Sequence, residues 1–572
     1  MLEYIRRLNQ EILRAILDRE FPFFDALLDK LYELDDEEQE HDFLCETAYK
    51  LIYTDFLTNN NYLVLLLNTF TQEEINKFSI LLYGEDYSKK DLLSMIQKEK
   101  LKKQKLLNNI KRFFGIDLLK EYDAEEPVKQ IHPHRQDFFE LLNYQFIIKE
   151  QILSIVETNK ALPRMIVHMP TGTGKTKTTV HTIIHDYVFN RKKKGVLVWL
   201  AHTKELIQQA KKAFENTWDV LGKGSITIHN NTLEYVSQGE SVYFLSYQKL
   251  ISLQKRNTEL FEKLRKNTVG IVADEAHKCL ASETRVAIEK LVRKYDGESN
   301  KYLIGLTATP GRKLSHFDDD EENMALSQMF EKRIIGIDPK KIESMKIDEL
   351  SWLKSEYGGV EEQDKEIIRY FQENQILAKI KREELRYDTT KEENRTVEDI
   401  RNRHRKKTPS ADFNQEILNK FSNLFSRNAA IIQRLIDLDN EAIPTIVFAC
   451  SVKHAKLIEK LLNLFNIDAR GVYGSTHSEE RRQTIQDFDD GKFNILVNVE
   501  VLTTGFDSPR IKCVFITRPT HSIVLYSQML GRGLRGPRMG GNEECLLIDV
   551  RDNLDQFSDE EQAFNYFTEY WR

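Results

Sequence analysis

The chain has 572 residues, 41% hydrophobic and 30% charged, with a formal net charge of −7. At roughly 100–200 residues per domain, that length holds about three to five units, and the composition excludes global disorder. No apolar run nears the roughly 18 residues of a membrane span, and five scattered cysteines without a CxxC exclude a disulfide scaffold.

A reduced, cytoplasmic compartment is the expectation, since the start Met1-Leu2-Glu3-Tyr4 leads into no secretory apolar stretch. The acidic balance argues against nucleic-acid binding through bulk charge and leaves room for a local groove that tracks phosphates.

Residues 1–130 are predicted to be an all-helical accessory domain. Leu8, Ile12, Leu13, Ile16 and Leu17 recur at helical spacing, and the clusters Leu63–Leu67 and Phe78–Leu82 continue the pattern. The acidic run Asp35-Asp36-Glu37-Glu38 is expected as a solvated loop, and the lysines between Lys98 and Lys105 as a solvated helix face.

Over 131–336 the pattern changes to short β-branched runs alternating with amphipathic stretches: Met165–Met169, Gly195–Ala201, Ser241–Ser246, Val269–Ala273 and Tyr302–Leu306. This alternation predicts βαβ units and a parallel sheet. A second series, Thr445–Cys450, Ala469–Tyr473, Phe493–Asn498, Cys513–Thr517 and Cys545–Val550, predicts another α/β layer over 429–572.

The segment between them, 337–428, is charged and helix-favouring, and is expected as a helical insertion or linker. It holds the densest basic patch, Arg401-Asn402-Arg403-His404-Arg405-Lys406-Lys407, a candidate phosphate contact or an exposed loop. The aromatic tail from Phe557 to Trp571 is expected to cover the second layer.

Pro170-Thr171-Gly172-Thr173-Gly174-Lys175-Thr176 follows the first buried strand and opens a helix. Glycines let backbone N–H groups wrap a phosphate chain at a helix N-terminus. Lys175 is suited to the β/γ-phosphates and the Thr176 hydroxyl to magnesium. The first glycine of the strict GxxxxGK[ST] pattern is replaced by Met169, so the GxGK[ST] core alone carries the geometry. About one hundred residues on, Ile271-Val272-Ala273-Asp274-Glu275-Ala276-His277 is an apolar strand ending in two carboxylates. Asp274 fits the metal's shell, and Glu275 fits the orientation or deprotonation of the attacking water.

Together these motifs resemble the superfamily 2 helicases and translocases of the DEAH type. The resemblance runs over about residues 140–555, closest in style to the motor subunits of type III and related restriction enzymes. It implies two tandem RecA-like domains with ATP and Mg2+ between them. Tyr144-Gln145 is similar to the element that reads adenine, and His277 belongs to the DEAH run. Ala201-His202-Thr203-Lys204-Glu205-Leu206, Ser246-Tyr247-Gln248 and Phe448-Ala449-Cys450-Ser451 look like strand-gripping motifs, with Thr203, Ser246, Ser451 and Thr503 as phosphate contacts.

Thr307-Ala308-Thr309-Pro310 resembles the coupling motif, through Thr307 and Thr309. Thr503-Thr504-Gly505-Phe506-Asp507 and Gln528-Met529-Leu530-Gly531-Arg532-Gly533-Leu534-Arg535 look like the last two. In the resemblance Gly505 and Asp507 face the nucleotide, and Gln528, Arg532 and Arg535 complete the hydrolytic set. Arg532 and Arg535 are three apart and are expected on one helix face.

The function implied is an ATP-dependent helicase or translocase, with DNA favoured over RNA, as the motor of a restriction-type or antiviral defence system. A duplex-RNA-stimulated ATPase and a nucleotide-gated switch that recruits an effector remain the alternatives. The N-terminal helices are the expected site of a protein partner.

Overall fold

The computed structural model describes residues 1–20, 37–99, 104–116, 127–133, 141–158, 162–190, 195–236, 240–293, 301–309, 320–336, 367–388, 412–474 and 478–550, apart from 503–505, 507 and 521, with isolated positions between these stretches. The patch Arg401–Lys407, the aromatic tail, and the candidates Thr503, Gly505 and Asp507 lie outside the described residues.

The N-terminal region forms a helical bundle, with helices Gln10–Glu20, Glu37–Thr58, Asn60–Asn68, Gln72–Tyr83, Lys89–Lys98 and Gln104–Phe113. Its boundaries are written locally. Thr71 and Glu74 form a capping box at the start of Gln72–Tyr83, and Gly84, at φ 80°, ends that helix in the left-handed region. Glu37 and Glu38, expected in a loop, begin the helix Glu37–Thr58. Leu13, Leu17, Leu44, Ile52, Phe56, Leu63 and Phe78 are fully buried in the bundle core.

Two parallel-rich sheets follow. The first holds β1 (Val128–Ile131), β2 (Arg164–His168), β3 (Val196–Ala201), β4 (Ile226–Asn230), β5 (Ser241–Ser246), β6 (Thr268–Asp274), β7 (Leu303–Thr307) and β8 (Ile334–Ile335), in the order β1-β4-β5-β3-β6-β7-β2-β8. The second holds β9 (Lys379–Leu385), β10 (Thr445–Phe448), β11 (Ala469–Val472), β12 (Ile495–Asn498), β13 (Cys513–Ile516) and β14 (Glu544–Val550), in the order β11-β12-β10-β13-β14-β9. All pairings are parallel except β1 with β4. The central strands β3, β6 and β7 are buried at every residue, as a sheet covered on both faces requires.

Two expectations are corrected. The first sheet begins before residue 131, because Val128–Ile131 pairs with β4. The segment 337–428 is not wholly helical, because Lys379–Leu385 pairs along its length with β14 as an edge strand of the second sheet. Its charged sequence, mostly exposed, hides the strand period, as an edge strand's sequence often does.

The N-terminal bundle is mounted on the second sheet's domain. Leu464, at the end of helix Val452–Leu464, is buried within the bundle's core, and Lys460 pairs with Asp55 at 2.8 Å. Lys50 donates to Asn466 at 3.0 Å. On the same helix Glu459 accepts a hydrogen bond from the Tyr473 hydroxyl.

Burial pushes the Glu459 carboxyl up to about 7, against about 4.3 in an unfolded chain. Between those values the fold keeps a proton that the unfolded chain has released, so stability falls as pH rises through this window. Glu459→Gln is expected to melt near the parent's temperature at pH 5 and above it at pH 8. An equal offset at both pH values in thermal melts would contradict this assignment.

Candidate nucleotide site and nucleic-acid face

The strand order sets the site. β2, β7 and β6 are consecutive neighbours, so their C-terminal ends bring the phosphate loop, Thr307 and Asp274 to one edge. Ligands of open parallel sheets bind at such edges.

In the phosphate loop, Gly172 and Gly174 have φ of 87° and 82°. Gly174 caps the helix Lys175–His185 without a side chain, leaving the first helical N–H groups facing the loop. Tyr144 and Gln145 brace this turn from beneath, donating to the Thr173 carbonyl at 2.6 and 3.0 Å. Gln145 is fully buried, and its oxygen accepts from the Leu142 N–H at 3.0 Å, so its amide supports the loop. Thr173 donates to the Pro170 carbonyl, and Lys175 reaches the Met169 and Pro170 carbonyls at 3.0 and 3.1 Å. Thr176 follows on the first helical turn.

At the end of β6, Asp274 Oδ1 accepts from the Glu275 N–H at 3.0 Å. Its Oδ2 is buried, with the Trp199 side chain on the adjacent strand acting on the carboxylate. Glu275 has φ 52° and ψ 60°, a left-handed conformation costly for a non-glycine residue. The charges of Lys175 and Arg532, and the Gln528 amide nearby, act on its carboxylate. His277 Nδ1 lies 3.4 Å from Glu275 Oε2.

Burial, and then the charge of Glu275, push the Asp274 carboxyl up to about 7. Burial also raises Glu275, against the pull of Lys175 and Arg532. The Lys175 ammonium is pushed down to about 8 by burial, opposed by the two carboxylates. Titratable groups driven from their ordinary ranges at a strand-end cleft mark a chemical site.

The second domain closes on this edge. Helix Ile523–Leu530 ends at Gly531, so Arg532 and Arg535 stand on the turn beyond it and not on a helix face, as had been expected. Arg532 donates to the Gln528 and Phe506 carbonyls. A Cβ on Gly531 would lie 2.6 Å from Thr171 Cβ, so glycine alone allows this approach. The backbone of Arg535 lies over Gly172, beside Leu377, which bridges to Arg535. Phe371 stacks edge-on against Tyr144 at 5.0 Å, tying the linker to the loop's support.

The gripping candidates share one device. Thr203, Ser246 and Ser451 each sit at or just beyond the C-terminal end of a parallel strand and cap the next helix, accepting from Leu206, Lys249 and His454 N–H groups at 3.2, 3.1 and 3.2 Å. A capping hydroxyl keeps its own hydrogen to donate. Thr307 and Thr309 close on each other, Thr307 donating to the Thr309 carbonyl at 2.7 Å and accepting its N–H at 3.0 Å. An ion pair that sequence motifs did not single out, Glu205 with Arg481 at 2.6 Å, spans the two domains on this face.

Residues 138–312 match the family described as type III restriction enzyme, res subunit, and residues 427–536 match the helicase conserved C-terminal domain. The chain carries the two-domain core of the superfamily 2 helicases. Over 114 residues, 20% of its length, the chain is 40% identical to irc3 of Schizosaccharomyces pombe, whose name places it among mitochondrial ATP-dependent helicases. That match spans 18% of the relative's own length.

Among solved structures, the ATP-dependent Type ISP restriction-modification enzyme LlaBIII bound to DNA is similar at 16% identity and TM-score 0.45, covering 76% of this chain and 29% of that one. Dbp5 of S. cerevisiae, bound to RNA and ADP BeF3, is similar at 14% identity and TM-score 0.43, covering 74% and 87%. No described helix is long and apolar enough to cross a membrane.

The Gly531–Thr171 contact yields a prediction for this helicase core. Gly531→Ala is expected to leave nucleotide affinity near that of the parent and to lower turnover about tenfold or more, since small misplacements across a reacting site are costly. Nucleotide titration and steady-state hydrolysis measured side by side would show this. Parental turnover would mean the domains do not close through this contact.

Proposed function

We propose that this chain is an ATP-driven DNA translocase or helicase, the motor of a restriction-type defence system. The observation that carries the proposal is the close approach of the second domain's turn Gly531–Arg535 to the phosphate loop at Thr171 and Gly172, which brings the charge of Arg532 within reach of Lys175 and Glu275. Hydrolysis of a phosphoanhydride spreads charge over the transferred group. A guanidinium that arrives only on closure stabilises that charge and links chemistry to domain position.

In this reading the loop N–H groups and Lys175 hold the ATP phosphates, and Glu275, steadied by Gln528, orients the attacking water and takes its proton. Arg532 stabilises the transferred group, with Arg535 beside it. The buried Oδ2 of Asp274 and the Thr176 hydroxyl suit a hard divalent cation such as Mg2+. When bound it would neutralise charge between the β- and γ-phosphates. Thr203 and Ser246 on one domain, and Ser451 on the other, donate to backbone phosphates. Such contacts carry position and no sequence, so movement is expected on any sequence. Translocation needs a grip that differs between closed and open states, because equal affinity for both shifts nothing.

The test is the steady-state ATPase rate without polymer and with single-stranded DNA, duplex DNA or duplex RNA, with Glu275→Gln as the hydrolysis-deficient control. Stimulation by DNA, lost in Glu275→Gln while ATP still binds, is the expected result. Stimulation by RNA alone would replace DNA as the track. Indifference to every polymer would contradict a motor and favour a nucleotide-gated switch.

A further inference from the structure

The strand-gripping candidate Ser246 is followed directly by Tyr247, whose side chain turns away from that face into the core. It is almost fully buried, and its hydroxyl donates to the Asp274 carbonyl at 2.7 Å. The same hydroxyl lies 3.7 Å from Cys279 Sγ, on the turn that follows Glu275. Any buried tyrosine needs a partner for its hydroxyl. What distinguishes this one is where the partner lies. The ladder between β3 and β6 ends at Leu200–Ala273, and the hydroxyl takes the next carbonyl, immediately before the left-handed Glu275. Held on one side by the Asp274 side chain through its own N–H, and on the other by Tyr247 through the preceding carbonyl, the Asp274–Glu275 peptide has little freedom to turn.

At its other end the link is equally short. Ser246 caps the helix Tyr247–Arg256, and its N–H donates to the Asn231 side chain at 3.0 Å. A displacement of Ser246 therefore passes through one planar peptide, one rigid ring and one hydrogen bond to the backbone of Glu275.

We propose that Tyr247 is a positioning residue that ties the nucleic-acid edge at Ser246 to the orientation of Glu275. Tyr247 touches neither polymer nor nucleotide, and acts through the Asp274 carbonyl alone. The coupling part of this inference rests on the motor reading above; the positioning of Glu275 does not.

Tyr247→Phe removes the hydroxyl and keeps the ring. In the full chain, the basal kcat for ATP is expected to fall about fivefold with KM within about twofold, the pattern of a lost transition-state interaction. The ratio of polymer-stimulated to basal rate is expected to fall by a similar factor, while equilibrium polymer binding stays near that of the parent. The melting temperature is measured alongside. A parental kcat and stimulation ratio would overturn the proposal, and so would a rise in KM together with a collapse in melting temperature, the mark of a merely structural tyrosine. If the parent is stimulated by no polymer, the motor reading fails, and the basal kcat of Tyr247→Phe still decides whether the hydroxyl positions Glu275.

Discussion

Four charges gathered in one cleft organise this molecule. Lys175 and the carboxylates of Asp274 and Glu275 come from the first sheet, and Arg532 from the turn after helix Ile523–Leu530 in the second domain. Burial raises the two acids and lowers the lysine, and the opposite charges around each offset that cost. Their sum is balanced only when both domains contribute. The left-handed backbone of Glu275, the bare backbone of Gly531 and the support of Thr173 by Tyr144 and Gln145 make sense as devices that let the four meet.

The rest of the fold follows a division of labour. Parallel strands end at one edge, so the helix caps at Thr203 and Ser246 follow neighbouring strands of the first sheet and the cap at Ser451 follows a strand of the second, all without dedicated loops. The linker is a working part: Phe371 supports Tyr144, Leu377 covers Gly172, and Lys379–Leu385 completes the second sheet. The N-terminal bundle docks on the second domain through Leu464, Lys460 and Asp55, while β1, further along the same chain, edges the first sheet. A single stretch of chain thus meets both halves.

The alternating α/β pattern and the phosphate loop were plain from sequence because buried parallel strands are continuous apolar runs and a phosphate loop needs glycines at fixed places. Strand limits came within a residue or two for Ser241–Ser246, Thr445–Phe448 and Ala469–Val472. Lys379–Leu385 escaped because its mostly charged residues belong to a sheet edge, and Val128–Ile131 because four residues carry too little period. Arg532 and Arg535 were expected on a helix, but Gly531 and Gly533 end it so that the turn can approach Thr171 and β14. Tyr144, Tyr247 and Arg481 carried no signal of their roles, because each acts on a partner far away in sequence.

The central claim is that hydrolysis waits for a charge brought from the second domain. Single-turnover hydrolysis by Arg532→Ala, with ATP affinity measured in parallel, tests it most directly. The expected result is affinity within about threefold of the parent and hydrolysis slowed about a thousandfold, the usual effect of losing an arginine delivered to a transferring phosphoryl group. Hydrolysis at the parental rate would show that the first domain works alone, and the account would fail.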